Sequence, residues 1–496
     1  MRTSCLLSSA IALFFLSGTN AEDPQGFYAA NPGMTKIGLV DQSINQITDV
    51  HGRVRFFHGT NVVKKAAPWF RQSEFKPGDS FGPTDVANLR KLGVNAVRLG
   101  HHWAGSEPVR GQYNQTFIDI MKAQTKLAED NGIYVLVDVH QDVLAAQICG
   151  HGVPDWFYKK DWVPAWKRFP YPQKLIPFPV DANGKPSDAD CNSIDWSVSY
   201  LNVAVGNAFG RLYNNFDNLG DAFASYWKKL AQEYVSTKNI LGYNLLNEPW
   251  VGDTWADPGL LVPGVADRKV MEGLWNKATT QIRTVDKDTL VFFEGATLDV
   301  LSGFNDVPLG DGARAVHSFH YYKPPQTGSI STTLENRRKD NVRLKTAGML
   351  TEFEFWITEG EGANLLQETV NAADKYMMSW MGWAYENLYD GGGVPKPVLA
   401  KHYSRAYPSA IAGIPTSYGF NPADSSLTVT YKVKKSVTAP TELILPKPTY
   451  PNGYNVTVSP NTAGLIQHVV DERTLAFFNS AATADGQSIT ITITKL

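Results

Sequence analysis

The stretch Ile240-Leu241-Gly242-Tyr243-Asn244-Leu245-Leu246-Asn247-Glu248-Pro249 decides the fold. Its apolar run has no polar face to offer water, so it must be covered on both sides, as a strand of a parallel α/β sheet is. The run stops at Asn247-Glu248-Pro249, which puts an acid at the carboxyl end of the strand, at the mouth of the sheet. Gly348-Met349-Leu350-Thr351-Glu352-Phe353 repeats the arrangement further along, another apolar strand closing on a glutamate.

Outward from these two, similar runs occur at Phe56 to Val62, Asn95 to Gly100, Ile133 to Val139, Leu290 to Gly295, Ala315 to Tyr321 and Met378 to Ala384, eight in all. Helical patterns lie between them, among them Thr84 to Leu92, with Thr84 as its expected N-cap, and Thr116 to Asp130, closed by Asn131-Gly132. Strand and helix alternating eight times predicts an α/β fold of the (β/α)8 TIM barrel kind. A doubly wound open sheet would usually carry a glycine-rich phosphate turn after its first strand, and Gly59-Thr60-Asn61 is not one. From Tyr407 the helical period disappears. Short alternating runs at Leu427 to Val433, Glu442 to Leu445, Tyr454 to Val458, Thr474 to Phe478 and Ser488 to Thr494 predict a C-terminal antiparallel β-sandwich. The expected division is a signal peptide over 1–21, a barrel over 22–405 and a sandwich over 406–496.

The signal peptide reads from Arg2, the apolar run Cys5 to Leu16, too short to span a bilayer, and the small-residue site Thr19-Asn20-Ala21. It implies a secreted or lumenal protein. No later stretch reads as a transmembrane helix. Charge is balanced, 46 Lys+Arg against 48 Asp+Glu, and no basic run carries interleaved aromatics, so nucleic acid is not an expected partner. With Cys5 removed, Cys149 and Cys191 remain, and in an oxidising compartment the simplest expectation is that they are bonded to each other. No Cys/His spacing points to a metal, and no cofactor is implied. Asn114-Gln115-Thr116 and Asn455-Val456-Thr457 are glycosylation acceptors that suit the same compartment.

Arg98, His140 with Asp142, Asn247 with Glu248, Glu294, His320 with Tyr322, Glu352 and Trp383 all fall at or just past strand carboxyl ends, the face on which such barrels build their sites. Two strand-end glutamates are what glycoside cleavage requires, one to protonate the leaving oxygen and one to attack or to activate water. Glu248 is expected to hold the proton and Glu352 to stay ionised beside Arg98. Glu354 follows two residues later and would point the same way in a strand; it is expected to be supporting or solvated. His140, Asp142 and Asn247 suit sugar hydroxyls, and Trp383 suits a pyranose face. Each also has a plainer reading, as a satisfied core histidine, a capping acid or a core ring.

The longest connection, 143–217, holds the cysteine pair and the rings Trp156, Phe157, Tyr158, Trp162, Trp166, Phe169, Tyr171, Phe178 and Trp196. Long insertions in compact domains tend to be functional. It reads either as a self-packed loop cluster or as an apolar wall for a greasy substrate.

Val97-Arg98, Asp138-Val139-His140-Gln141-Asp142, Asn247-Glu248-Pro249, His320-Tyr321-Tyr322, Thr351-Glu352-Phe353 and Trp383 resemble, in order and spacing, the catalytic set of the retaining glycoside hydrolases of family five. Within it the chain is most similar to the endoglycoceramidases, through Gly59-Thr60-Asn61-Val62-Val63-Lys64-Lys65, the His-Gln-Asp triplet and the barrel-then-sandwich order. The resemblance implies Glu248 as acid/base and Glu352 as nucleophile. It implies sugar contacts from Lys65 (or its neighbour Lys64), His140, Asp142, Asn247, Tyr322 and Trp383, with Arg98 and His320 in support. The implied substrate is a glycosphingolipid, presented at a membrane or micelle surface and cut between oligosaccharide and ceramide. A β-glucosidase acting on glucosylceramide or steryl glucoside, or a cellulase-like glucanase, would share these residues. A non-catalytic glycolipid-binding protein would not need both glutamates.

Overall fold

In the computed structural model, residues 24–297 and 302–496 are described. The expected signal peptide lies outside the described residues. Three short strands, β1 (Ile37–Asp41), β2 (Gln46–Asp49) and β3 (Val54–Arg55), precede the first expected one. The eight apolar runs then form β4 (His58–Val62), β5 (Ala96–Gly100), β6 (Tyr134–Asp138), β7 (Ile240–Asn244), β8 (Val291–Glu294), β9 (Ala315–Tyr321), β10 (Ala347–Phe353) and β11 (Ser379–Gly382). They pair in chain order, all parallel, and β11 closes the barrel onto β4 with Trp380 opposite His58 and Met381 opposite Gly59.

Side-chain alternation along these strands builds the site. Ala96, Leu136, Phe292 and Val316 point inward and pack with Leu241, Met349 and Met381 as one buried cluster. Two residues further on, the inward positions turn polar: Arg98, Asp138, Glu294 and Ser318, all buried. One end of the barrel is therefore a sealed apolar plug and the other a cup of charge. Ile37, Val40 and Ile47 from the β1–β2 hairpin join the apolar cluster and close that end.

The hairpin also corrects the expected division of the chain. Residues 22–405 read as barrel, but β3 pairs antiparallel with β12 (Tyr407–Ile411), so the amino-terminal strands complete a sheet of the C-terminal unit. That unit adds β13 (Gly413–Asn421), β14 (Ser426–Val433), β15 (Thr441–Ile444), β16 (Tyr454–Ser459), β17 (Leu465–Val469), β18 (Thr474–Asn479) and β19 (Ser488–Lys495). The orders are β1-β2-β3-β12-β15-β18-β17 and β13-β14-β19-β16. Ile489, Ile491 and Ile493 alternate inward against Leu427, Val429 and Tyr431, and pack with Leu443, Leu475 and Phe477 of the facing sheet. Each such aliphatic contributes about 1.5–3 kcal/mol on burial.

Two local expectations shift. The first barrel helix is Pro83–Lys91 with Gly82 as N-cap, so Thr84 lies inside it. Proline suits the first helical position, and the Asp85 carboxylate accepts from Gly82 N at 2.8 Å. The second is Gln115–Asp130, capped by Asn114 Oδ1, which accepts from Phe117 N at 3.2 Å. Cys149 and Cys191 are bonded across 42 residues. Closing a loop of that length is worth about 4 kcal/mol through the unfolded chain.

Candidate active site

Arg98 is the hub of the cup. Its Nη1 donates to Glu352 Oε1 at 2.6 Å and Asn61 Oδ1 at 3.1 Å, and its Nη2 to Asn247 Oδ1 at 2.8 Å and Glu294 Oε1 at 3.2 Å. Asp138 Oδ1 lies 2.8 Å from the same Nη2. One fully buried guanidinium thus offsets three buried carboxylates, which no isolated acid at that depth could tolerate.

Glu352 and Glu248 reach the mouth by different routes. Period two from the inward Met349 would turn Thr351 inward and Glu352 outward. The pairing of β10 with β9 shifts between Leu350 and Glu352, and this bulge brings Glu352 round to the mouth. Thr351 fills the interior, with its Oγ1 2.5 Å from Ser318 Oγ. Glu352 Oε2 then accepts from Tyr322 OH at 2.7 Å. Glu248 sits in the left-handed region at φ 40, a conformation a non-glycine residue adopts only when its surroundings hold it there. The holding groups are visible. Glu248 N donates to Glu294 Oε2 at 2.9 Å, and Gln141 Nε2 donates to the carbonyls of Asn247 and Glu248 at 2.8 and 3.0 Å.

Glu294 thereby acquires a role. Besides Arg98 and Glu248 N, it accepts from Asn244 Nδ2 at 2.8 Å, so it anchors the loop that carries Glu248. Burial raises its pKa, against the pull of His320 and Arg98.

His320 Nδ1 lies 2.8 Å from Glu248 Oε1 and 3.5 Å from Glu352 Oε2. One atom from each of these three residues falls within 4.8 Å of the others, close enough to ligate a cation. Burial alone would discharge the imidazole, but Glu352, Glu294 and Glu248 together raise its pKa to about 9. A protonated ring donates hydrogen bonds, so His320 can hold a proton beside Glu248.

Because the folded pKa is raised, the imidazolium's contribution to stability is fully present below the ordinary histidine value of about 6.5 and is lost as pH rises through about 9. The kcat/KM profile is therefore expected to carry an alkaline limb near pH 9, and H320Q to remove that limb while folding. An identical limb in H320Q would assign it to another group.

A second polar cluster lies beside the first. Lys65 Nζ is 2.6 Å from Asp142 Oδ2, His151 Nε2 is 2.8 Å from the same oxygen, and His140 Nδ1 is 2.9 Å from Asp138 Oδ2. Burial opposes the charge on Asp142, yet Lys65 and His151 hold its carboxyl well below the usual range. The His140 ring lines the cleft, with its Nε2 buried and 3.7 Å from Asp142 Oδ2. Trp383 stacks on His140 at 5.2 Å, and Lys65 Nζ sits 4.5 Å from its ring centre. Of the two adjacent lysines it is Lys65 that faces the site, since Lys64 Nζ pairs with Asp79 at 2.9 Å. Glu386 is engaged by Arg71 behind Trp383.

Lys65, His140, Asp142, Asn247, Glu248, Tyr322, Glu352 and Trp383 line a cavity of about 650 Å³. One side is polar, with Lys65, His140, Asp142 and Asn247. The other is mainly apolar, with Trp196, Val198, Tyr200, Leu201, Trp250 and Pro324 alongside Asp195 and Ser197. Both readings of the insertion hold in part. Phe157, Tyr158 and Phe169 are buried in the core, Trp156, Trp162, Tyr171 and Phe178 pack against it, and of the nine rings named from the sequence Trp196 alone lines the cleft. His151, Tyr200 and Trp356 are site residues that sequence reasoning missed. Trp356, four residues past Glu352, stacks on Tyr322 at 5.8 Å and had a usable signal in its position. His151 and Tyr200 had none, because only the folded insertion brings them there.

A barrel with two mouth glutamates and a one-sided polar cleft is the apparatus of a glycosidase, and comparison with known proteins agrees. The family model described as Cellulase (glycosyl hydrolase family 5) matches residues 63–388, and that of the Glycoside hydrolase family 5 C-terminal domain matches residues 405–493. The chain belongs to glycosyl hydrolase family 5. It is 34% identical over 477 residues to an endoglycoceramidase of Cyanea nozakii, covering 92% of this chain and 93% of that one. To an endoglycoceramidase of Hydra vulgaris it is 35% identical over 474 residues, covering 92% and 88%. The structure of endo-glycoceramidase II from Rhodococcus sp. in a ganglioside GM3 complex superposes with a TM-score of 0.73 at 22% identity, over 90% of this chain and 98% of that one.

Proposed function

We propose that this protein hydrolyses the β-glycosidic bond between oligosaccharide and ceramide in glycosphingolipids, with net retention. The observation that carries the reading is the division of the cleft. A sugar's hydroxyls suit the side with Lys65, His140, Asp142 and Asn247, and a lipid's chains suit the wall of Trp196, Val198, Leu201 and Trp250. Each methylene shielded there contributes about 0.8 kcal/mol. The endoglycoceramidase relatives support the same substrate class.

In the first step Glu248 gives its proton to the glycosidic oxygen while Glu352 attacks the anomeric carbon. The carbon–oxygen bond to ceramide breaks, and a glycosyl ester forms on Glu352. In the second step Glu248, now the base, takes a proton from water, which displaces Glu352 and restores both carboxyl groups. Arg98 and Tyr322 aim the two oxygens of Glu352, and His320 stands ready to exchange the proton of Glu248. An oxygen of Glu248 and one of Glu352 lie within 4.8 Å. That favours retaining chemistry, where the carboxyl groups stand about 5–5.5 Å apart, over inverting chemistry, which needs about 6.5–9.5 Å to seat a water. Secretion is part of the reading, supported by the bonded cysteine pair and by the exposure of Asn114 and Asn455 to glycosylation.

Incubation with a ganglioside and with glucosylceramide tests it. Intact oligosaccharide should leave the ganglioside, with the β-anomer first in the proton NMR spectrum. Release of glucose from glucosylceramide alone would make the protein a β-glucosidase. Aryl cellobiosides cut as efficiently as glycolipids would make it a glucanase.

A further inference from the structure

Beside the cleft, the insertion carries aliphatic side chains out into solvent. Leu175 and Ile176 are adjacent, on the turn that follows Pro172, and are 78% and 80% exposed, the most exposed large hydrophobic residues among those described. Neither lines the cavity. The turn is tied to the cleft wall by Gln173 Nε2, which donates to Val198 O at 2.8 Å, and Lys174 Nζ donates to Ser193 Oγ at 2.7 Å. Around this tip stand three half-exposed indoles. Trp166 meets Tyr171 edge-on at 5.4 Å, Tyr171 meets Trp255 at 6.2 Å, and Trp255 Nε1 donates to Leu201 O at 3.1 Å. Trp196, the third, is 55% exposed and also lines the cleft. The exposed aliphatic pair, the three indoles and the cleft lining are thus linked through Gln173, Tyr171 and Trp255.

The basic residues are confined to the first part of this stretch. Residues 159–180 carry Lys159, Lys160, Lys167, Arg168 and Lys174 against Asp161, whereas residues 181–195 carry Asp181, Asp188, Asp190 and Asp195 against Lys185. Lys159 is paired with Asp217 at 3.1 Å, whereas Lys167 Nζ and Lys174 Nζ lie over the Trp166 and Phe178 rings at 4.9 and 4.7 Å. The nearby Asp195 turns its carboxylate onto Ser197 N at 2.8 Å. Aliphatic tip, indole girdle and flanking ammonium groups match, layer by layer, the acyl region, the interface and the anionic headgroups of a bilayer.

We propose that this face docks on a lipid bilayer, with Leu175 and Ile176 inserted among the acyl chains and Trp166, Trp196 and Trp255 at headgroup level. The proposal rests on the glycosphingolipid reading and extends it. With the mouth of the cleft against the bilayer, a glycolipid reaches Glu248 without its chains crossing water, and the cleft wall continues the membrane's own apolar phase.

The intact protein is to be sedimented with phosphatidylcholine vesicles containing about one fifth phosphatidylserine, alongside L175E/I176E. Wild type is expected to bind. The double variant should bind at least about 30-fold more weakly and cleave vesicle-borne ganglioside more slowly by a similar factor. Its hydrolysis of a water-soluble aryl glycoside should stay within about twofold of wild type, because both positions lie outside the cleft, and L175F/I176F should keep vesicle binding. Equal binding by L175E/I176E and wild type, or no binding by wild type, overturns the proposal. So does a dimer in gel filtration that the double variant disperses, which would give the face to a second copy of the chain. Failure to cleave ganglioside even in detergent micelles would instead strike the functional reading, and the vesicle measurement does not depend on it.

Discussion

Replacing Glu352 by alanine is expected to lower kcat/KM about 10⁵-fold on every substrate, since no nucleophile remains whatever the leaving group. Replacing Glu248 by alanine should behave differently. On a glycolipid, whose leaving alkoxide needs a proton, the loss should be about 10³- to 10⁴-fold. On a dinitrophenyl glycoside, whose leaving group departs unaided, glycosylation should proceed nearly normally and the ester should accumulate. Azide separates the two roles. It should rescue E248A by opening the ester from the face that water uses, giving a β-glycosyl azide, and rescue E352A only by attacking from the vacated face, giving the α-anomer. The opposite anomers would exchange the roles of the two residues.

The second large effect lies at Arg98. R98L leaves Asp138, Glu294 and Glu352 buried without their counter-charge, and stripping one partner from a buried ion pair costs about 3–5 kcal/mol. A lower midpoint in urea unfolding is expected. So is a fall in kcat of at least about 100-fold, because Glu352 loses the donor that aims it and Asn247 loses its anchor. R98K keeps the charge without the fork that reaches five partners, so it should recover more stability than activity. Recovery of full activity in R98K would show that Arg98 supplies charge alone.

The eight barrel strands were legible because burial on two faces leaves no choice of residue, and each apolar run is a strong local signal. The strands missed before and after the barrel show the limit of that signal. Val54–Arg55 is too short to carry a period, and Tyr407–Ile411 is buried throughout and contains Pro408, so neither alternates. Their partnership joins residues more than 350 positions apart, and no local pattern encodes it.

The site divides the same way. Glu248, Glu352, Arg98, His140, Asp142 and His320 were found because a strand's carboxyl end is a place the sequence marks. What the residues that support them do was not marked. Glu294 read as a spare acid until its bond to Glu248 N placed it as an anchor, and Gln141 as part of a motif until it was seen to hold the turn behind the glutamate. Asn247, expected on the sugar, has its Oδ1 bonded to Arg98 and its Nδ2 to Gln141 O at 3.0 Å, so its first duty is to hold the cup together.

By itself, then, the sequence determined the barrel, the sandwich, the strand-end positions of the two glutamates and the pair of cysteines, because these rest on period, composition and residues adjacent in the chain. Only the tertiary structure decided the bulge that turns Glu352 to the mouth, the partner that each acid takes and the few insertion residues that form the cleft wall. Those outcomes depend on which strand ends and loops meet in space, where a shift of one residue or a few ångströms reverses a side chain's surroundings and with them its charge, its exposure and its chemistry.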